Sequence, residues 1–359
     1  STTKHVEYLV KSYGAHFDQH ALRRFTLRGC AWTLSRGKDE QRKRDARSTL
    51  TAIGVGEILE DPRFLDLMKE DSLDTFTALE AVDCLSTAYE SAWRLDSITN
   101  QTRACIEIYY QRYHEVLGIV AEGRGPEISE SILSVKGAYL VGPMPGVALF
   151  LALIKGWLDT AAADCFEPLA AHLLQRGELS EEKKDAARLR LRRLGRYMAL
   201  HPAKIALVTS SIHYEADLVL SEVFRILREQ IAEWPVAAAV KDRVLAGMAS
   251  PAAYYDAFIT ASDSSEIRLK PHRDLYSIAL HELGVYPADF GKVVGFEDSE
   301  SGAIAIRTAG ISTCCALPFH MTAGHHFEAA THVCPGGLPE VLLNYGLFLE
   351  ESLLEAVDK

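Results

Sequence analysis

The chain has 359 residues, enough for two domains or for one domain with large insertions. Hydrophobic residues make up 48% and charged residues 24%, an ordinary globular balance, and the formal net charge of −11 argues against nonspecific nucleic-acid binding, which runs on phosphate neutralisation. The seven cysteines are odd in number and form no C-x-x-C pair, so they read as reduced thiols in a cytoplasmic protein, not as a disulfide scaffold.

The opening "STTKHVEYLVKSYGAHF" lacks the apolar run of a signal peptide, and its apolar residues fall at helical spacing. "PRFLDLMKEDSLDTFTALEAVDCLSTAYESAWRLDSI" and "NQTRACIEIYYQRYHEVLGIV" continue that pattern, which predicts a helical domain over residues 1–137. Gly and Pro in "AEGRGPEISES" interrupt it. The longest uncharged stretch, Tyr139 to Ile154, is too short for a membrane span and holds two prolines. "GPMPGVALFLALIKGWL" starts a helix after a Pro-Gly turn, and two further helices follow. "LSEEKKDAARLRLRRL" reads as an N-capped amphipathic helix whose basic second half suits the helix dipole. Its arginines read as a solvated face, with nucleic-acid contact as the weaker alternative.

From His201 the pattern alternates. "KIALVTSS", "YDAFITAS" and "KVVGFEDS" read as strands. "EADLVLSEVFRILREQI", "RDLYSIALHELGV" and "ESGAIAIRTAG" read as helices. "ISTCCALP" and "ATHVCPG" read as short strands, and "LPEVLLNYGLFLEESLLEAV" as one closing helix. Such alternation predicts βαβ units and a parallel, Rossmann-like α/β sheet over residues 138–359. Ligands of such sheets bind at the carboxyl ends of the strands.

Three polar strand ends then meet at one edge. The first carries Thr209, Ser210 and Ser211, the second is followed by Lys270-Pro271, and the third ends in Glu297-Asp298-Ser299. Adjacent carboxylates with waters and a phosphate oxygen are a usual way to hold Mg²⁺. An ammonium and a hydroxyl suit the equatorial oxygens of a transferring phosphoryl group. Competing readings of nearby residues are weaker. Cys315, His320, His325, His326, His332 and Cys334 match no standard zinc spacing and read as loop and strand residues near the cleft. Ser210-Ser211 lacks the G-x-S-x-G elbow of a serine nucleophile, and Cys314-Cys315 reads as packed core.

"ALVTSS", "KPHRDLYSIALHELGV" and "VVGFEDSESGAIAIRTAG" resemble, in order and wording, the second, third and fourth motifs of the haloacid-dehalogenase-like hydrolase superfamily, in its branch around β-phosphoglucomutase and phosphoglycolate phosphatase. The resemblance covers about 140 residues, from Lys204 to Leu343, and "MPGVALFLALIKG" resembles the helix that normally precedes the second motif. Roughly 45 residues, about 156–200, are inserted between the two. The resemblance implies a Rossmann-like core with a large helical cap. It implies that Thr209 binds the phosphoryl group, that Lys270 neutralises the charge shared by nucleophile and phosphate, and that Asp298 ligates Mg²⁺, with Glu297 as a second or water-mediated ligand. Ser210 lies beside the phosphate loop. Asp274 and Tyr276 match the pattern and read as capping and packing residues.

The family's first motif, Asp-x-Asp-Gly with the nucleophile, is missing from the chain. Asp71 and Asp74 follow no apolar strand and read as a helix start. The first residues fit immediately after such a motif, so one reading puts the nucleophile upstream of Ser1. The other is a true loss, leaving a binding or regulatory protein. The cap loop that the family builds around a Gly is matched by "LRRFTLRGCAWTL", with Arg28 and Trp32 flanking Gly29 as substrate-contacting candidates. Trp32 falls where sugar phosphomutases carry a basic residue, which favours a phosphatase over a phosphomutase. The expectation is a Mg²⁺-dependent phosphatase acting on a small phosphorylated metabolite, with no nucleic-acid or membrane partner. The oligomeric state stays open.

Overall fold

The computed structural model describes residues 2–70, 73, 76–136, 139–263, 267–322 and 324–358. Asp71 and Asp74 therefore lie outside the described residues. The chain divides into two compact units, Ser1–Ile128 and Ser129–Lys359. Among the described residues no helix is long and apolar enough to cross a membrane.

The first unit is helical: α1 (Thr2–Tyr13), α2 (Gln19–Arg36), α3 (Glu40–Ala52), α4 (Pro62–Leu67), α5 (Phe76–Ala88), α6 (Ile98–Ala121) and a short α7 (Gly125–Ile128). Side-chain oxygens start these helices. Asp18 accepts from His20 N and Ala21 N at α2, and Asp61 accepts from Arg63 N at α4. Leu27, Cys30, Leu50, Ile53, Phe64 and Leu85 form a fully buried core. The expected loop around Gly29 is not there, because Gly29 lies in the middle of α2. Its missing side chain lets α2 approach α6: an added Cβ would lie 3.2 Å from the Glu107 carbonyl oxygen. Helix crossing, not turn geometry, explains this glycine.

The second unit opens with α8 (Val147–Ile154), α9 (Phe166–Arg176) and α10 (Lys184–Leu200). The basic half of α10 is committed to the chain's own backbone and acids. Arg190 donates to the Leu343 carbonyl (2.9 Å), Arg193 to Asp358 (2.6 Å) and Arg196 to the Val357 carbonyl (2.9 Å). Ser180 sits extended ahead of this segment without a side-chain capping bond, so the expected serine N-cap is not formed.

The α/β part runs β1 (Ala206–Val208), α11 (His213–Ala232), α12 (Ala238–Gly247), α13 (Pro251–Tyr254), β2 (Ala257–Ile259), α14 (Asp274–Glu282), β3 (Val294–Glu297), α15 (Glu300–Thr308), β4 (Thr313–Ala316) and β5 (His332–Val333). All pairings are parallel, as the alternation predicts. They form two ladders, β1-β2 and β3-β4-β5, rather than one continuous sheet. Val208 packs in the same apolar cluster as Tyr276, Ile306 and Cys314, so side chains join the two ladders. The C-terminal stretch is not one helix. It splits into α16 (Leu338–Leu343) and α17 (Glu351–Ala356), with positive φ at Gly346, Leu347 and Phe348 between them. The Gly at 346 marks the break, since three successive left-handed residues end any right-handed helix.

Candidate functional site

Alternation along β3 sends Gly295 and Glu297 to the buried side. Two glycines make the room there. A Cβ on Gly295 would lie 2.7 Å from Ile306 Cδ1, and one on Gly302 would lie 2.0 Å from Glu297 Cδ. The Glu297 carboxylate thus rests directly on the first turn of α15. A buried carboxylate needs a cation and donors, and Glu297 has both. Lys270 Nζ forms an ion pair with its Oε1, the Tyr276 hydroxyl donates to the same oxygen, and Ser299 Oγ donates to Oε2 at 3.2 Å. Burial, then the Glu297 charge, pushes the Tyr276 phenol well above its ordinary range, which keeps it a donor. Lys270 also donates to the Val208 carbonyl at 3.1 Å.

Asp298, more exposed than its neighbour, lines a pocket of about 1120 Å³ together with Glu297, Thr209 and Lys270. Its carboxyl is raised from the ordinary Asp value, by desolvation first and by the Glu297 charge second. No ion pair reaches it among the described residues. The like-charge pair thus divides by partner: Glu297 is paired with Lys270, and Asp298 has no ion pair among the described residues, while both line the pocket. Thr209 is fixed by its own N–H, which donates to the Ile259 carbonyl at 2.9 Å. Its Oγ1 accepts from Ser211 N at 3.1 Å, which leaves the hydroxyl proton available to a ligand. Ser210 is exposed and does not line this pocket.

The pocket also touches two open strand edges. Ile205 and Thr209 direct their backbone groups to β2, so Ala206 and Val208 turn theirs the other way. Glu297 accepts from Leu317 N on β4, so Phe296 and Asp298 turn theirs away from β4. β1 and β3 are each the outer strand of their ladder, and Val208 and Phe296 both line the pocket. All three residues of β1 are only half-buried, although strands of a parallel sheet are normally covered on both faces. Among the described residues no strand pairs with β1 on its Val208 side or with β3 on its Phe296 side, and the pocket lies against both.

The residues present fit a divalent cation in part. Asp298 offers one carboxylate to the pocket, and Mg²⁺ commonly takes one or two carboxylates plus waters and phosphate oxygens. Glu297 is saturated by Lys270, Tyr276 and Ser299. Among the described residues no group of three His, Cys, Asp or Glu side chains is gathered to hold a metal.

Arg28 and Trp32 sit on α2 in the helical unit, Arg28 half-buried and Trp32 packed against that unit's core. Asp274 accepts from Arg268 N and the Arg268 guanidinium, which lowers its carboxyl and ties the start of α14. The sequence reading gave Tyr276 only a packing role, and missed its bond to Glu297. It also missed His172 and Arg176 on α9 and gave His320 no specific part, yet all three line the pocket. α9 carries no motif, and only tertiary structure brings it there.

No family model matches the chain. A stretch of 78 residues is 37% identical to "Putative phosphatase YhcW" of Bacillus subtilis (strain 168), covering 22% of this chain and 33% of that protein. The chain thus spans about a third of the length of this curated relative. The chain resembles the haloacid-dehalogenase-like hydrolases. Solved structures similar to this chain include CbbY from Rhodobacter sphaeroides in complex with phosphate, at 16% identity and a TM-score of 0.36 over 86% of this chain and 92% of that one. Another is a "putative beta-phosphoglucomutase" from Thermotoga maritima, at 18% identity and a TM-score of 0.31 over 87% and 93%.

Proposed function

We propose that the pocket handles the phosphoryl group of a small phosphorylated metabolite, and that the chain belongs to a phosphatase of the haloacid-dehalogenase type. The observation that supports this best is the convergence of Thr209, Lys270 and Asp298, from three separate strand ends, on one cavity. In this reading Thr209 donates its hydroxyl proton to a phosphoryl oxygen. Lys270 supplies positive charge to the same oxygens while its bond to Glu297 fixes where that charge sits. Asp298 would hold Mg²⁺, which when bound would neutralise phosphoryl charge. The nucleophile is a carboxylate on a further strand, carried ahead of Ser1 and lying between the edges of β1 and β3. Residues 1–137 act as the cap that selects the substrate, residues 138–359 as the core. The seven free thiols support a cytoplasmic location, and the committed arginines of α10 speak against nucleic acid as a partner.

The test joins an apolar strand ending in Asp-x-Asp ahead of Ser1 and measures phosphate release from a broad panel of phosphometabolites. Release should require Mg²⁺ and vanish in Asp298→Ala. No Mg²⁺-dependent release from any panel member sinks the reading. A second reading, a binding or regulatory protein without turnover, is favoured by one observation: the Lys270–Glu297–Tyr276 set closes on itself without a ligand. A beryllium trifluoride adduct on an aspartate of the extended chain would exclude it.

A further inference from the structure

The inserted segment, residues 156–200, reaches the pocket through His172 and Arg176, four residues apart on one face of α9. Arg176 and Arg192 are the arginines of that segment with no hydrogen bond or ion pair among the described residues, and of the two only Arg176 lines the pocket. Arg188, Arg190, Arg193 and Arg196 are all held by acids or carbonyls. Among the described residues no hydrogen bond or ion pair holds Arg176, although it feels the charge of the buried Glu340 nearby. The other fixed cation lining the pocket, Lys270, is tied to Glu297 and the Val208 carbonyl and serves the phosphoryl end in the proposed reading. The fixed positive charge left for a second group on the ligand is therefore Arg176. The cavity, about 1120 Å³, also exceeds what one phosphoryl group fills.

We propose that Arg176, supported by His172, is an anion subsite that selects ligands carrying a second anionic group, a carboxylate or a second phosphate, besides the phosphoryl group held at Thr209 and Lys270. This inference rests on the phosphoryl-binding reading of the pocket. A guanidinium presents a planar fork that matches the two oxygens of either anion, and an unengaged fork gives up no existing bond to receive one. The bland alternative is that Arg176 only offsets the negative end of the α9 dipole. That role would make it indifferent to the ligand's tail.

The test is calorimetric titration of the chain with three matched probes: propyl phosphate, 3-(phosphonooxy)propanoate and propane-1,3-diol bisphosphate. At least one of the two probes with an anionic tail should bind about tenfold or more tighter than propyl phosphate, the worth of one charge-assisted contact. Which of the two wins distinguishes carboxylate from phosphate. Arg176→Ala should erase that preference and leave propyl phosphate unchanged, and Arg176→Lys should restore part of it. Arg176 is exposed, so the variants should fold, which circular dichroism checks. Equal binding of all three probes by the wild type, or an undiminished preference in Arg176→Ala, overturns the subsite while the phosphoryl site stands. Binding of no probe by the wild type overturns both.

Discussion

Each unit of this molecule buries a glutamate against a cation and a hydroxyl, and the two pairings are alike. In the helical unit Glu107, 1% exposed, takes Arg42 Nη2 at 2.8 Å and the Thr49 hydroxyl at 2.9 Å. In the α/β unit Glu297 takes Lys270 and the Tyr276 hydroxyl. A glycine stands against each, Gly29 behind Glu107 and Gly302 behind Glu297. The difference is the neighbour. Glu107 belongs to a closed structural network between helices. Glu297 is followed by Asp298, which faces a cavity with its proton affinity raised. A buried acid with a cation is thus no mark of function by itself. What sets the second site apart is an additional acid beside it that lines a cavity and has no ion pair among the described residues.

The largest effects should treat the two networks alike. Arg42→Ala and Lys270→Ala each strand a buried carboxylate, and each should cost its own unit about 3–5 kcal/mol in denaturant unfolding. A marked inequality would mean that one of the two acids takes up a proton cheaply when its cation is lost. Next comes the glycine pair. Gly302→Ala places a Cβ against the Glu297 carboxyl and should cost about 1–3 kcal/mol, while Gly29→Ala meets only a 3.2 Å contact and should cost less. The reverse order would show that α15 shifts more easily than α2.

A smaller effect separates the acids by pH. Asp61 caps α4 and takes the Arg63 guanidinium and the Tyr89 hydroxyl, and the Arg63 bond chiefly lowers its carboxyl to about 2. Its stabilisation is present above the ordinary Asp value and is lost as pH falls toward about 2. Asp298 has the opposite sign: its raised carboxyl favours the folded state when protonated, so its contribution falls as pH rises past the ordinary value. Asp61→Asn should therefore destabilise the helical unit by about 1 kcal/mol at neutral pH and flatten its acid limb. Smallest of all, Asp298→Asn should stabilise the α/β unit by about 0.5 kcal/mol at neutral pH while weakening Mg²⁺-dependent phosphate binding. Destabilisation by Asp298→Asn, read by thermal unfolding, would make Asp298 a structural residue like Asp61.

The strand ends were legible because their chemistry is local. An apolar run closing in Thr209, or in Glu297-Asp298, states both a strand and its polar terminus within eight residues. Lys270 was legible only in company with them. Gly29 misled because a glycine inside a helix normally costs stability and so reads as a turn; its reason is the α6 backbone across from it, which no local pattern carries. The division of labour between Glu297 and Asp298 was not legible either, since it depends on Tyr276 and Gly302 meeting one carboxylate in space. Arg176 had no signal at all beyond an ordinary amphipathic helix. The break at Gly346 was written in the sequence and overridden by the apolar periodicity on either side.

The Lys270 amine on the Val208 carbonyl has one more consequence. Open strand edges recruit other chains, and a lysine placed on such an edge is a common guard against that. Lys270 occupies the Val208 carbonyl, an acceptor that an incoming strand would otherwise take. The residue that would steady a phosphate therefore also caps a main-chain acceptor at the β1 edge.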